Sequence, residues 1–282
     1  MMETSTLSLS VVIPCYNEER YIRGTVEEIL QVFTGEKTEI VIVNDGSHDH
    51  SGTVLAELAK QYDCVRILTH GVNKGKGAAI RTGVLAAKGE VIACIDGDGE
   101  VDASALLPAL DLLCTSNFID IIVGNRYLIP GSYKTTLKRR LSSQCYRLFV
   151  KLLFRISCSD TQAGFKLYRN QIAHDLFSSS NVDGYAFDID ILAQAGLRYL
   201  HVEEYPIAQI LKGKSTITKR NILHMILDTC ITYRRYRAAQ WKDLSAHKNV
   251  SALLTFVASQ FIAAPVSASF NIGARISLLC IK

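Results

Sequence analysis

Apolar residues gather in short runs along the first half of the chain: Leu9 to Pro14, Ile40 to Val43, Val65 to Thr69, Val91 to Ile95 and Ile119 to Val123. Each is rich in β-branched residues and ends at a polar or glycine-containing turn, the signature of a buried strand. Between them lie helical patterns, such as one running from the cap residue Asn17 to Phe33 and another over residues 103–114. Strands alternating with helices predict an α/β domain: a mostly parallel sheet with helices on both faces.

Beyond this region the pattern changes. Lys134, Lys138, Arg139, Arg140, Arg147, Lys151 and Arg155 occur with no acidic residue between them, interleaved with Leu137, Leu141, Leu148, Phe149 and Leu152. Amphipathic helices packed on a domain normally mix both charges, so this segment reads as a basic helix at a membrane surface. A turn and strand near Phe165, a helix from Phe187 to Ala195, a strand from Tyr199 to Ile210 and a basic amphipathic helix from Lys219 to Arg237 complete the pattern. Asn249 to Ala274 carries no charge and is long enough to cross a bilayer, but its serines, Gln260, Asn271 and Pro265 favour a tail that lies on a membrane or packs. The expected organisation is therefore a catalytic domain at 8–216 containing the basic helix 134–156, a helical segment at 217–248 and a hydrophobic tail at 249–282, uncharged as far as Ala274.

The 282 residues, 48% of them hydrophobic, are enough for one sizeable core. A net charge of +4 is modest, and its concentration on apolar helices without a base-stacking motif argues against nucleic acid. Eight scattered cysteines without a Cys-x-x-Cys read as free buried thiols in a reducing compartment rather than a zinc site. The start lacks a basic and an apolar leader segment, so no secretory signal is expected and the catalytic face is assigned to the cytosol.

Chemistry concentrates at the strand ends, where open α/β sheets bind ligands. Asp96-Gly97-Asp98-Gly99-Glu100 follows the fourth strand. Two carboxylates ~4 Å apart repel by roughly 4 kcal/mol at an effective dielectric of 20, so the cluster calls for a proton or a cation. Hard oxygen ligands suit Mg²⁺ or Mn²⁺, and magnesium commonly takes one or two carboxylates plus substrate phosphates. A solvated acidic turn is the alternative. Asn73-Lys74-Gly75-Lys76-Gly77 opens a helix but fits neither G-x-G-x-x-G nor the P-loop pattern; it either meets phosphate through backbone N–H groups or is a solvated lysine pair. Lys212 and Lys214 flank Gly213 in a basic loop suited to an anion, or simply solvated.

Taken together these motifs resemble the family 2 inverting glycosyltransferases, and within them the dolichyl- or polyprenyl-phosphate hexose synthases, over roughly residues 8 to 216. The resemblance implies a glycosyltransferase-A fold. Pro14-Cys15-Tyr16-Asn17-Glu18 is similar to P-x-Y-N-E, whose Pro14, Tyr16 and Glu18 would line the nucleotide. Asn44-Asp45-Gly46-Ser47 resembles D-D-G-S, which holds base and ribose, with Asn44 replacing the first acid. Asp96-Gly97-Asp98 resembles D-x-D, with Glu100 also near the implied metal; Gly124-Asn125-Arg126-Tyr127 resembles G-x-R-Y, whose arginine faces the phosphates. Asp160 to Lys166 matches D-T-Q-x-G-F-K and Phe187-Asp188-Ile189-Asp190 approximates F-D-V-E, both closest to glucose synthases. The resemblance implies inverting transfer of glucose, or else mannose, from UDP-glucose or GDP-mannose to a polyprenyl phosphate at a cytosolic membrane face, with Mg²⁺ or Mn²⁺. Asp98, Asp160 and Arg126 would carry the chemistry, Lys212, Lys214 and Arg139 would add cations, and Asp188 is the second choice of acid. A transferase acting on a saccharide and a silent nucleotide-sugar-binding protein are the alternatives.

Overall fold

A computed structural model describes residues 9–33, 37–129, 137–154, 156, 158–210 and 219–246. Its centre is a seven-stranded sheet made of β1 (Leu9–Cys15), β2 (Thr38–Asn44), β3 (Val65–Thr69), β4 (Val91–Ile95), β5 (Ile121–Asn125), β6 (Phe165–Arg169) and β7 (Val202–Pro206). The spatial order is β3-β2-β1-β4-β6-β5-β7. Contacts of β1 with β2 and β4, of β2 with β3 and of β5 with β7 are parallel; β6 alone runs backward, antiparallel to β4 and to β5. The mostly parallel sheet expected from the alternating pattern is thus present, with one reversed strand at its middle.

Both faces of the sheet are covered, which is why its strands read as continuous apolar runs. On one face Val11, Ile13, Ile40, Ile42, Ala93, Ile95 and Leu167 meet α1 (Ile22–Val32), α2 (Ser51–Gln61) and α4 (Leu106–Thr115). The alternate residues Val12, Val41, Ile92, Ile121 and Val123 meet α3 (Lys76–Ala86), α6 (Asn170–Ser179) and α7 (Phe187–Leu197) on the other. This two-residue alternation is what a pleated strand buried on both sides requires. The basic segment forms α5 (Leu137–Phe154), whose Val150 and Phe154 pack on Ile189 and Ala193 of α7. Tyr233 and Tyr236 of α8 (Lys219–Ala246) lie against the Phe154 ring. Leu148 and Leu152 of α5 stay 59% and 72% exposed.

The chain divides into compact units at Met1–Arg237 and Ala238–Lys282. No helix among the described residues is long and apolar enough to cross a membrane. The uncharged stretch from Asn249 lies outside the described residues, as do Lys212 and Lys214.

Three local expectations are corrected. Asn17 does not cap α1: it sits at φ 57°, its side chain accepts the His48 amide, and the helix starts five residues later with Tyr21 as its N-cap. The strand expected from Tyr199 is confined to Val202–Pro206, because Tyr199 at φ 56° and the Leu200 amide, bonded back to Ala195 O, still belong to the end of α7. Among the described cysteines Cys15, Cys94 and Cys158 are buried, but Cys230 on α8 is exposed.

Candidate active site

The functional side chains lie at the carboxyl ends of β1, β2, β4 and β5 and in the loop entering β6. After β1 the chain is stitched to the loop following β2. The Asn17 amide donates to Ser47 Oγ, the Glu18 amide to Ser51 Oγ at 2.8 Å and the Glu19 amide to Asp49 Oδ2. Tyr16, 41% exposed, stands edge-on to His48. This leaves Tyr16 and Glu18 on the rim just beyond Pro14, near the end of β1.

Asn44 and Asp45 prove to be builders of that rim. Asn44 Oδ1 accepts the Ser47 amide at 3.0 Å and closes the turn. The buried Asp45 carboxylate accepts the amides of Lys74 and Gly75 at 2.9 and 2.8 Å and meets His70 Nδ1 at 2.6 Å. His70 Nε2 lies 3.0 Å from Thr82 Oγ1. Most of the acceptor capacity of Asp45 is therefore spent inside the protein. Gly46 at φ 69° has no room for a side chain, since a Cβ would fall 2.7 Å from the Asn73 nitrogen.

Asp96 and Asp98 follow β4. The Lys76 ammonium sits 2.6 Å from Asp96 Oδ1, and the Asp96 amide donates to Gly164 O. Gly164 presses directly on the carboxylate: a Cβ there would lie 2.1 Å from Asp96 Oδ2. Burial works to raise the Asp96 pKa, but the Lys76 ammonium, with Lys166 and Arg126 behind it, outweighs burial and holds the carboxyl below its usual range. Among the described residues no ammonium or guanidinium pairs with Asp98 in this way. Burial, then the charges of Asp96 and Glu100, push it up to about 6. Burial, then Asp98 and Asp96, push Glu18 up to about 7. The Gly97 carbonyl is held by Thr25 Oγ1 at 3.1 Å, fixing the peptide between the two aspartates. Glu100 points elsewhere: its carboxylate accepts from Gln209 Nε2 at 2.6 Å and its carbonyl from the Ile210 amide.

Across the reversed strand, Arg126 forms a fork with the buried Asp160, Nε to Oδ2 at 2.8 Å and Nη2 to Oδ1 at 2.9 Å, and its own amide also donates to Oδ2. Glu204 of β7 ties this corner together. Its Oε1 accepts from Asn125 Nδ2, the Ser159 amide and the Asp160 amide, at 2.9, 2.7 and 3.3 Å. Beneath Asp96, Lys166 donates to Ala163 O and pairs with Asp188, each at 2.7 Å; both side chains are almost wholly buried. Burial raises the Asp188 pKa against the pull of Lys166 and Lys76.

Asp96, Asp98, Glu18 and Arg126 are thus brought to one rim, Asp45, Asn44 and Asp160 support it, and Asp188 lies beneath it. The Arg139 side chain lies outside the described residues. Sequence reading passed over His70 and Glu204 as site-building groups, and took Lys76 only as part of a helix start that meets phosphate or is solvated. An acidic residue in a short strand at the sheet edge was the available signal for Glu204, and the basic glycine-rich helix start was the signal for Lys76.

Residues 10–177 match the family described as glycosyl transferase family 2. The chain belongs to that family. It is 30% identical to a dolichyl-phosphate beta-glucosyltransferase of Homo sapiens, over 85% of this chain and 79% of the relative. To the Saccharomyces cerevisiae protein of the same name it is 31% identical, over 83% and 77%. Among solved structures, glucosyl-3-phosphoglycerate synthase from Mycobacterium tuberculosis, crystallised with Mn²⁺, uridine diphosphate and phosphoglyceric acid, superposes with a TM-score of 0.63 at 18% identity, covering 82% of this chain and 78% of that one. That likeness identifies the fold of this family 2 glycosyltransferase as of the glycosyltransferase-A type, as the sequence motifs imply.

Proposed function

We propose that this glycosyltransferase moves glucose from UDP-glucose to dolichyl phosphate or another polyprenyl phosphate, with inversion, at the cytosolic face of a membrane. The reading rests on the strand-tip constellation of Asp96, Asp98 and the Asp160-anchored Arg126 in a chain whose relatives, matched over more than three-quarters of their length, include dolichyl-phosphate beta-glucosyltransferases.

The rim suits a divalent cation. Three carboxylates, Glu18, Asp96 and Asp98, are answered by the Lys76 ammonium, and burial, with the charge of the neighbouring carboxylates added to it, pushes Glu18 and Asp98 up to about 7 and 6. No three His, Cys, Asp or Glu side chains among the described residues are gathered closely enough to hold a metal by themselves. That matches a Mg²⁺ or Mn²⁺ taken by Asp96 and Asp98 and completed by substrate phosphates. Glu100 would act on it at most from behind. When bound, such an ion offsets the charge that develops on the departing diphosphate.

The protein's own groups divide the remaining work. Tyr16, Glu18 and the rim built by Asn44 and Asp45 receive the nucleoside. Arg126, its planar guanidinium held in one orientation by the Asp160 fork, would face the phosphates and need no reorganisation as charge develops. A phosphate monoester with a second pKa near ~6 is already largely dianionic at neutral pH, so the acceptor attacks the anomeric carbon without a strong general base. Asp160, with both oxygens committed to Arg126, is on this reading a positioning residue. Cations matter more than a base, and the basic faces of α5 and α8, with Leu148 and Leu152 exposed beside Lys151, would hold the enzyme on an anionic leaflet.

The test is transfer of radiolabelled sugar from UDP-glucose and from GDP-mannose, separately, to dolichyl phosphate in detergent with Mg²⁺ or Mn²⁺, with Asp98→Ala as control. Glucolipid from UDP-glucose that needs both metal and Asp98 supports the proposal. No glycolipid from protein that still binds nucleotide moves the acceptor to a saccharide.

A further inference from the structure

Lys76 is fixed from both sides before its side chain reaches the site. The amides of Lys74 and Gly75 are bonded to Asp45, and Gly75 stands at φ 105° where a Cβ would lie 2.5 Å from Asp183 O. On its other side Gly77 packs so closely that a Cβ would fall 2.5 Å from Val182 O. The first turn of α3 is therefore anchored between β2 and the segment before α7, and it delivers the ammonium to Asp96 Oδ1 at 2.6 Å. The other carboxylate oxygen lies against the bare backbone of Gly164. One of the two aspartates suited to a metal is thus already occupied by a cation of the chain itself.

We propose that Lys76 is a positioning residue that sets how the cation binds: it neutralises Asp96 in the free enzyme, weakens the hold on free divalent metal, and so makes metal and nucleotide sugar enter together. A like charge against one ligand opposes a second cation by Coulomb repulsion. A diphosphate reverses the balance, because it brings negative charge that both the ammonium and the metal can share. The flexible four-carbon stem of lysine allows the ammonium to move between carboxylate and phosphate, while the anchored backbone keeps it within reach of both. Residues 74–76 also connect the nucleoside rim, through Asp45, to the metal end of the site. This inference rests on the metal-dependent reading above.

The test reads metal binding rather than turnover. Binding of Mn²⁺ to the full chain is measured from the free-ion electron paramagnetic resonance signal, with and without UDP. The wild type is expected to bind Mn²⁺ about tenfold or more tightly once UDP is present, and UDP is expected to gain the same factor from Mn²⁺. Lys76→Met and Lys76→Gln are expected to tighten Mn²⁺ binding without UDP by about tenfold or more and to shrink the gain from UDP. Lys76→Arg, keeping the charge, is expected to restore the wild-type pattern. Wild-type enzyme that binds Mn²⁺ equally well with and without UDP overturns the proposal without any variant. So do folded Met and Gln variants whose UDP-free affinity stays within about threefold of wild type. Wild-type enzyme that binds no Mn²⁺ even with UDP overturns the metal reading itself, and this inference with it.

Discussion

The guanidinium of Arg126 and the carboxylate of Asp160 face each other in a two-point fork, at 2.8 and 2.9 Å, with Asp160 only 2% exposed. The arginine comes from the end of β5 and the aspartate from the loop into β6, so the fork joins two segments 34 residues apart at the rim. Replacing Asp160 by Asn keeps the shape but removes the charge and one acceptor. Asp160→Asn is expected to cost about 2 kcal/mol of stability, the scale of a hydrogen bond to a charged group, and to lower kcat more than it raises the KM for the nucleotide sugar. Thermal melting together with steady-state kinetics checks both. An unchanged kcat would mean that Arg126 needs no anchor.

Gly164→Ala tests the closeness of the two loops at the rim. The added methyl would meet Asp96 Oδ2 at 2.1 Å, so either the carboxylate or the loop must move. Because ångström-scale misplacement of a reacting group can cost roughly 10²-fold in rate, glycosyl transfer is expected to fall by about that much while circular dichroism stays native.

Glu18 gives a pH signature with a definite sign. Its carboxyl is raised from 4.5 to about 7 by burial and by Asp98 and Asp96, so the folded state binds this proton more tightly than the unfolded chain. The stabilisation is complete below the unfolded value and is lost as pH rises toward and through 7. Glu18→Gln, which does not titrate, is expected to melt at a temperature that changes less between pH 5 and 8 than the wild type does in metal-free buffer. Parallel profiles for the two proteins would remove Glu18 from the charged cluster.

The exposed apolar side chains of α5 give a fourth expectation. Leu148 and Leu152, 59% and 72% exposed, flank Lys151 on the surface. The double substitution Leu148→Glu, Leu152→Glu is expected to reduce sedimentation with anionic vesicles by about tenfold, while melting temperature is unchanged. Equal sedimentation would place the membrane contact elsewhere.

Much of this was legible in the linear chain because buried parallel strands announce themselves. The expected run Val91–Ile95 is apolar at all five positions and Ile119–Val123 at four of five, and the turn residues beyond them supply Asp96, Asp98 and Arg126. Asp96 and Asp98 could be placed at the rim on that ground, and Arg126 joined them through the resemblance of Gly124-Asn125-Arg126-Tyr127 to G-x-R-Y. The reversal of β6 was not legible, since an antiparallel strand buried on both faces has the same composition as a parallel one. Nor was the division of labour between acids. Asp45 and Asp160 look in sequence like free ligands, and only the amides of Lys74 and Gly75 and the fork of Arg126 reveal them as supports. Pairings between residues distant in sequence, such as Glu204 with Asp160, leave no periodic trace.

The strand order carries a further consequence. One half of the sheet, β3-β2-β1-β4, comes entirely from the early part of the chain, and the other, β6-β5-β7, entirely from the later part. The residues proposed to cradle the donor up to Asp98 therefore belong to one continuous stretch, and Arg126, Asp160 and the helices beyond belong to another. Such a division is modular: on the proposed reading the early stretch and Arg126 can stay constant while the rest of the later one diverges, so a single scaffold could hand its sugar to different acceptors without rebuilding the grip on the donor.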